Sequence, residues 1–174
     1  MRYRKLGNTG INVSLLGFGC MRLPMTRIGD KSVVDEDKAI EMIHRAYELG
    51  VNYFDSAYGY CEGLSEIALG KAVKSFRDRV FISTKCPGGS VKKMGDYRRI
   101  LEEQLKKLDM EYVDVYHFHG ISYDSFHEVD ARAKWLDDAV KAKQEGLIKH
   151  IAFSFHDKPE NMKRLVDMGF FESV

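Results

Sequence analysis

No stretch of this chain approaches the apolar length that spans a membrane. The opening Met1-Arg2-Tyr3-Arg4-Lys5 also lacks the apolar core of a secretory signal. No block of like charge stands out. Lys and Arg total 27 against 26 Asp and Glu, a formal net charge of +1. The two signs are interspersed, so the footprint of a nucleic-acid-binding surface is missing. Cysteine is scarce. Three residues, an odd number, make no disulfide framework, and the expected compartment is a reducing cytoplasm. With no internal repeat, low-complexity tract or linker, residues 1–174 are expected to form one domain around a substantial core.

What is present is a regular alternation. Short runs rich in β-branched and aromatic residues occur at Leu15–Gly19, Val51–Asp55, Val80–Lys85, Tyr112–His119 and His150–Ser154. Helical spacing fills the intervals. Asp35–Leu49 puts Ala39, Ile40, Ile43, Ala46 and Tyr47 on one face, with Gly50 as a C-terminal stop. Ser65–Phe76 and Asp96–Leu108 follow, the latter aligning Tyr97, Ile100, Leu101, Gln104, Leu105 and Leu108. Ala131–Glu145 is the fourth helix, and Pro159 opens a fifth that runs to about Met168. Strand–helix order with near-continuous apolar strands means a parallel sheet covered on both faces. The first strand runs into Cys20-Met21-Arg22-Leu23-Pro24 and a loop, not into a glycine-rich phosphate turn. That favours a closed barrel over an open doubly wound sheet. Arg2–Leu6 and Ile11–Leu15 flank Gly7-Asn8-Thr9-Gly10 as an N-terminal hairpin. A full eight-fold barrel takes about 250 residues. The fold expected here is therefore a parallel (β/α)8 TIM-type barrel present as its first five β/α units plus the hairpin. Phe170–Val174 would begin a sixth strand.

Reactive groups in such barrels sit at the carboxyl ends of strands. Asp55, Lys85 and His119 end three successive strands, and Tyr60 lies in the loop after the first of them. The types suggest roles. A phenol with its ordinary pKa of about 10 is a poor acid at neutral pH, and a nearby ammonium makes it a better one. Asp55 would hold the Lys85 ammonium in place, and His119 would donate a hydrogen bond to a carbonyl oxygen. None of these groups can deliver a hydride, so a carrier must be bound, and nicotinamide is the expected one.

The same residues carry a resemblance. Tyr3-Arg4-Lys5-Leu6-Gly7-Asn8-Thr9-Gly10 with Leu16-Gly17-Phe18-Gly19-Cys20-Met21-Arg22-Leu23 resembles the opening of the aldo-keto reductase family. Asn52-Tyr53-Phe54-Asp55-Ser56-Ala57-Tyr58-Gly59-Tyr60, continuing to Ser65-Glu66-Ile67-Ala68-Leu69-Gly70, is similar to its signature, as are Phe81–Lys85 and Asp114–His119. The resemblance implies a catalytic set of Asp55, Tyr60, Lys85 and His119, with the tyrosine falling on Tyr60 and not Tyr58. It implies that Gly19, Cys20, Met21, Asp55 and Ser154 line NADP or NAD, with NADP favoured, and that the substrate is a small carbonyl compound. It also implies departures. Ser154 is followed by Phe155-His156 where many members have Asn, a variation usual in the branch that this opening resembles most. An iron–sulfur cluster would belong only to a C-terminal segment that many proteins of that branch carry and this sequence does not contain. The later strands that grip the rest of the cofactor are likewise not in the sequence.

Two further readings compete. The His117-x-His119 pair could place two imidazoles on one metal, as in a hydrolase built on the same barrel. Alternatively the chain is a non-catalytic piece of a reductase whose open edges favour self-association. His117 reads better as a hydrogen-bonded core histidine, and Tyr58 as a packing or substrate-pocket aromatic. His44, His127 and His150 look incidental, and Lys92 and Lys93 solvated. Cys20, Cys61 and Cys86 each follow a strand end and are expected near the mouth as free thiols. Their spacing has no Cys-x-x-Cys element, so no metal site is expected.

Overall fold

The computed structural model describes residues 1–174. The chain opens with an antiparallel hairpin, β1 (Tyr3–Lys5) and β2 (Asn12–Ser14). Strand β3 (Phe18–Gly19) is followed by a second hairpin, β4 (Met25–Ile28) and β5 (Lys31–Val34). A loop is expected there from the sequence; the residues that make a hairpin instead are Gly29-Asp30, a two-residue turn with Gly29 at φ +61°.

Regular β/α units follow: α1 (Glu36–Glu48), β6 (Tyr53–Asp55), α2 (Ser65–Val73), β7 (Phe81–Pro87), α3 (Asp96–Leu108) and β8 (Val113–Ile121). The last elements are α4 (Tyr123–Ala133), α5 (Trp135–Gln144), β9 (Ile148–Phe155) and α6 (Pro159–Val166). The central sheet runs β3-β6-β7-β8-β9, all parallel. A parallel bridge from Ala152 to Ser173 begins the sixth strand. No helix is long and apolar enough to cross a membrane.

Two expected helices differ. The Ser65–Phe76 helix ends as an α-helix at Val73 and tightens into a 3-10 stretch over Lys74–Arg79. The stretch read as one helix over Ala131–Glu145 breaks at Lys134, whose backbone is left-handed, and a further helix precedes the break.

Packing explains why the layers hold. On α3 the buried side chains are Tyr97, Ile100, Leu101, Gln104, Leu105 and Leu108, the face its spacing predicts. The Phe118 ring on β8 meets Tyr97, Phe126, Trp135 and Phe171 with centroids 4.6–5.8 Å apart. Truncating such a ring to alanine costs about 3–5 kcal/mol. The first hairpin caps the amino-terminal end of the strands. Asn8 N–H donates to the Glu172 carbonyl at 2.7 Å. A Cβ on Gly7, which has φ +47°, would come within 2.1 Å of that oxygen, so only glycine fits this turn.

Candidate active site

The parallel register assembles the site. Gly19 pairs with Asp55, Asp55 with Ser83, Lys85 with His117, and Pro87 with His119. Alternation along β7 sends Ser83 and Lys85 to the barrel interior and Thr84 and Cys86 to the helix layer. Lys85 Nζ forms an ion pair with Asp55 Oδ2 and donates to the Ser56 carbonyl at 2.7 Å. The other Asp55 oxygen accepts from Ser83 Oγ at 2.5 Å. The Lys85 side chain is only 8% exposed, and these partners meet its ammonium group.

Tyr60 comes from the turn after β6. Tyr58 N–H donates to the Lys85 carbonyl at 3.3 Å and Tyr60 N–H to the Ala57 carbonyl at 3.1 Å. A 3-10 segment, Tyr60–Gly63, then turns the chain into α2 with Cys61 and Glu62 left-handed. The Tyr60 ring centroid lies 5.0 Å from Lys85 Nζ, and the ring stands edge-on to His119 at 5.7 Å. Asp55, Lys85, Tyr60 and His119 are thus brought together at one mouth. His119 is half-buried. Burial, and then the Lys85 ammonium, hold its imidazole below its usual range, so it is neutral near pH 7.

The residues expected to line a cofactor sit on the same rim. A Cβ at Gly19 would meet nothing, so the rim is open there. The Cys20 side chain is fully buried, with burial pushing its thiol pKa up, and its carbonyl accepts from Ser65 Oγ at 2.7 Å. Met21 is exposed. Ser154, near the carboxyl end of β9, accepts from Gly120 N–H at 2.7 Å and keeps its own hydroxyl proton to donate. A free hydroxyl donor at Ser154 and open space over Gly19, both at the carboxyl ends of the parallel strands that carry Asp55 and Lys85, are a donor set that suits the amide end of a nicotinamide.

Other expectations sort by geometry. His117 is buried beneath the site with Nε2 3.4 Å from the Tyr53 hydroxyl, and burial lowers its pKa to about 4. No group of three or more His, Cys, Asp or Glu converges as metal ligands would. Of the three thiols expected to gather near the mouth, Cys20 and Cys61 lie side by side and Cys86 does not. Cys61 Sγ lies 3.5 Å from the Met21 carbonyl oxygen, but Cys86 points into the helix layer beside Tyr116. Tyr58 faces away from the mouth, donating to Glu103 at 2.7 Å beneath Lys107. His44 bonds the Ala72 carbonyl at 2.8 Å, His127 packs on Tyr123, and His150 meets Glu172 at 2.7 Å.

Behind the site lies a polar layer that the sequence pattern did not reveal. Glu66, Thr84 and Gln104 are fully buried and mutually hydrogen-bonded, and Tyr116 donates to Gln104. The signal was a glutamine amid the apolar stripe of α3, a placement that demands partners.

Comparison with known proteins agrees with this architecture. The profile of the Aldo/keto reductase family matches residues 15–174. The L-galactose dehydrogenase of Arabidopsis thaliana is 34% identical over 159 residues, which cover 87% of this chain and 47% of that protein. A probable aldo-keto reductase 1 of Glycine max is 31% identical, over 92% of this chain and 46% of its own length. Among solved structures, an aldo-keto reductase from Bacillus halodurans in its holo form superposes with a TM-score of 0.79 at 28% identity. That match covers all of this chain and 56% of the other. The chain spans about half the length of the curated relatives it matches.

Proposed function

The chain belongs to the aldo/keto reductase family of oxidoreductases, and from that premise we propose that it supplies the catalytic half of a nicotinamide-dependent reduction of aldehydes or ketones. The observation that carries this reading is the grouping of Tyr60 with the Lys85–Asp55 pair and His119.

The roles follow from the atoms. The Lys85 ammonium, fixed by Asp55 and the Ser56 carbonyl, favours negative charge on a phenol beside it. Tyr60 therefore gives its proton to a carbonyl oxygen that gains charge, and Lys85 stabilises the phenolate that remains. Neutral His119 orients that oxygen through an N–H donor. Asp55 does not touch the substrate in this reading; it holds Lys85. Ser154, with its free donor, holds the carboxamide, and the open rim over Gly19, Cys20 and Met21 leaves room for the ring. NADP(H), favoured over NAD(H) by the family likeness, supplies the hydride when bound.

A second reading keeps the same site but makes this chain a non-catalytic portion of a reductase. Its coverage of about half of each relative favours that reading. One experiment separates the two. Trp135, the sole tryptophan, reports NADPH titration by fluorescence, and NADPH consumption is then followed with a panel of aldehydes. Saturable binding with turnover that Tyr60→Phe lowers by about a thousandfold, the fold being intact by circular dichroism, supports the reductase reading. Saturable binding with unchanged turnover in Tyr60→Phe removes the assigned acid. No binding at all supports the second reading.

A further inference from the structure

We propose that Gln104, one layer behind the mouth, is a positioning residue that sets Tyr60 against Lys85 by holding the Lys85 carbonyl. The inference rests on the functional reading above only for its catalytic consequence. The Lys85 side chain points into the barrel, while its carbonyl oxygen accepts from two donors outside the sheet ladder. One is Tyr58 N–H at 3.3 Å, two residues before Tyr60. The other is Gln104 Nε2 at 3.1 Å. The first bond docks the turn that carries the phenol onto the strand that carries the ammonium. It is long, and the second donor steadies the same oxygen.

The orientation of Gln104 is over-determined. Its Oε1 accepts from Tyr116 OH at 2.5 Å, which leaves Nε2 to face three acceptors. These are Glu66 Oε1 at 2.6 Å, Thr84 Oγ1 at 2.9 Å and the Lys85 carbonyl. A flipped amide would turn its oxygen toward Glu66 Oε1 and the Lys85 carbonyl, placing acceptor against acceptor. Glu66 Oε1 also accepts from Thr84 Oγ1 at 2.5 Å, and Lys107 Nζ lies 3.6 Å from the second Glu66 oxygen. Glu66, Thr84, Gln104 and Tyr116 have no exposed surface. An apolar layer would fill this space at lower desolvation cost, so the polar one is expected to be doing something that packing alone does not. The links run α3 to β7 to the Tyr60 turn: Gln104, the Lys85 carbonyl, Tyr58 N–H.

Amide hydrogen exchange on the 174-residue chain, read by mass spectrometry, tests this without any need for turnover. In Gln104→Met, the peptide covering residues 56–60 is expected to exchange faster by about tenfold, while peptides from α1 and β9 keep their wild-type rates. Glu66→Gln, which keeps an acceptor oxygen in place, should accelerate the same peptide less. If Gln104→Met does not fold, Tyr116→Phe removes the bond that locks the amide and should give a smaller rise at the same place. A wild-type rate over residues 56–60 in a folded variant, or an equal rise in every peptide, overturns the proposal. Kinetics add a second arm: where the wild type turns over, kcat should fall in Gln104→Met while KM for NADPH stays within about twofold. A KM change alone overturns the proposal. A wild type that does not turn over refutes the functional reading and leaves the exchange result to decide the positioning.

Discussion

Lys85 and His117 are adjacent in register and find different partners in the same buried surroundings. Lys85 finds a carboxylate and a carbonyl within reach, and its nitrogen donates to both. His117 finds the Tyr53 hydroxyl, and burial outweighs the favourable Asp55 charge, with Lys85 and His119 opposing protonation further. Its folded pKa of about 4 lies below the unfolded value near 6.5. Between those values the unfolded chain binds the extra proton, so the stability His117 contributes is present above about pH 6.5 and is lost as pH falls toward 4. The change is about 3 kcal/mol. Urea titrations from pH 7 to 4 should show this loss, and His117→Gln should flatten it. Equal slopes in both proteins would show that other groups set the acid limit. Asp55, Lys85 and His119 were legible in the sequence because each ends an apolar strand, where an ionisable residue needs a reason. The outward direction of Cys86 follows from simple alternation after Lys85. Tyr58 facing Glu103 was not readable, because its partner lies 45 residues away on another element, beyond the reach of local pattern.

At the scale of elements, local signals succeed where they act alone. Helix α3 begins and ends where its apolar spacing does, and Asp35 caps α1 by accepting from Lys38 N–H. They fail where two elements share one pattern. Apolar spacing continues from Phe126 through Trp135, yet the chain breaks at Lys134, with φ 52° and ψ 40°. The break is built by Asp130. Its carbonyl accepts from Lys134 N–H at 2.8 Å, and its carboxylate accepts from Leu136 N–H at 3.0 Å, ending α4 and starting α5 with one residue. Because a side chain in the left-handed region costs about 1 kcal/mol, Lys134→Gly is expected to stabilise the protein slightly. For a domain of this size that is a rise in Tm of about 2–4 °C. A lower Tm would mean that the Lys134 side chain, or unfolded-state entropy, outweighs the relief of strain.

For the whole molecule the decisive feature is that the parallel sheet has two ends. Strand β3 is paired only with β6, and beyond β9 there is a single bridge at Ser173. Glu172 anchors that second end strongly. Its oxygens accept from Lys143 Nζ at 2.5 Å and Ile151 N–H at 3.1 Å and meet His150 Nδ1 at 2.7 Å. The first end has no such clasp, and Leu15, Leu16 and Met21 are exposed beside it. Closed barrels remove both edges by pairing them. Unpaired edges with nearby apolar side chains recruit other strands. The 174-residue chain, prepared as such, is therefore expected to self-associate, with light scattering giving a mass above the 20.0 kDa of one copy. Appending about three β/α units from a relative that pair with β3 should return it to a monomer and sharpen its melting. A 20.0 kDa monomer that melts sharply without them would show that the clasp at Glu172 and the hairpin cap at Gly7–Asn8 are enough to hold a partial barrel closed to partners.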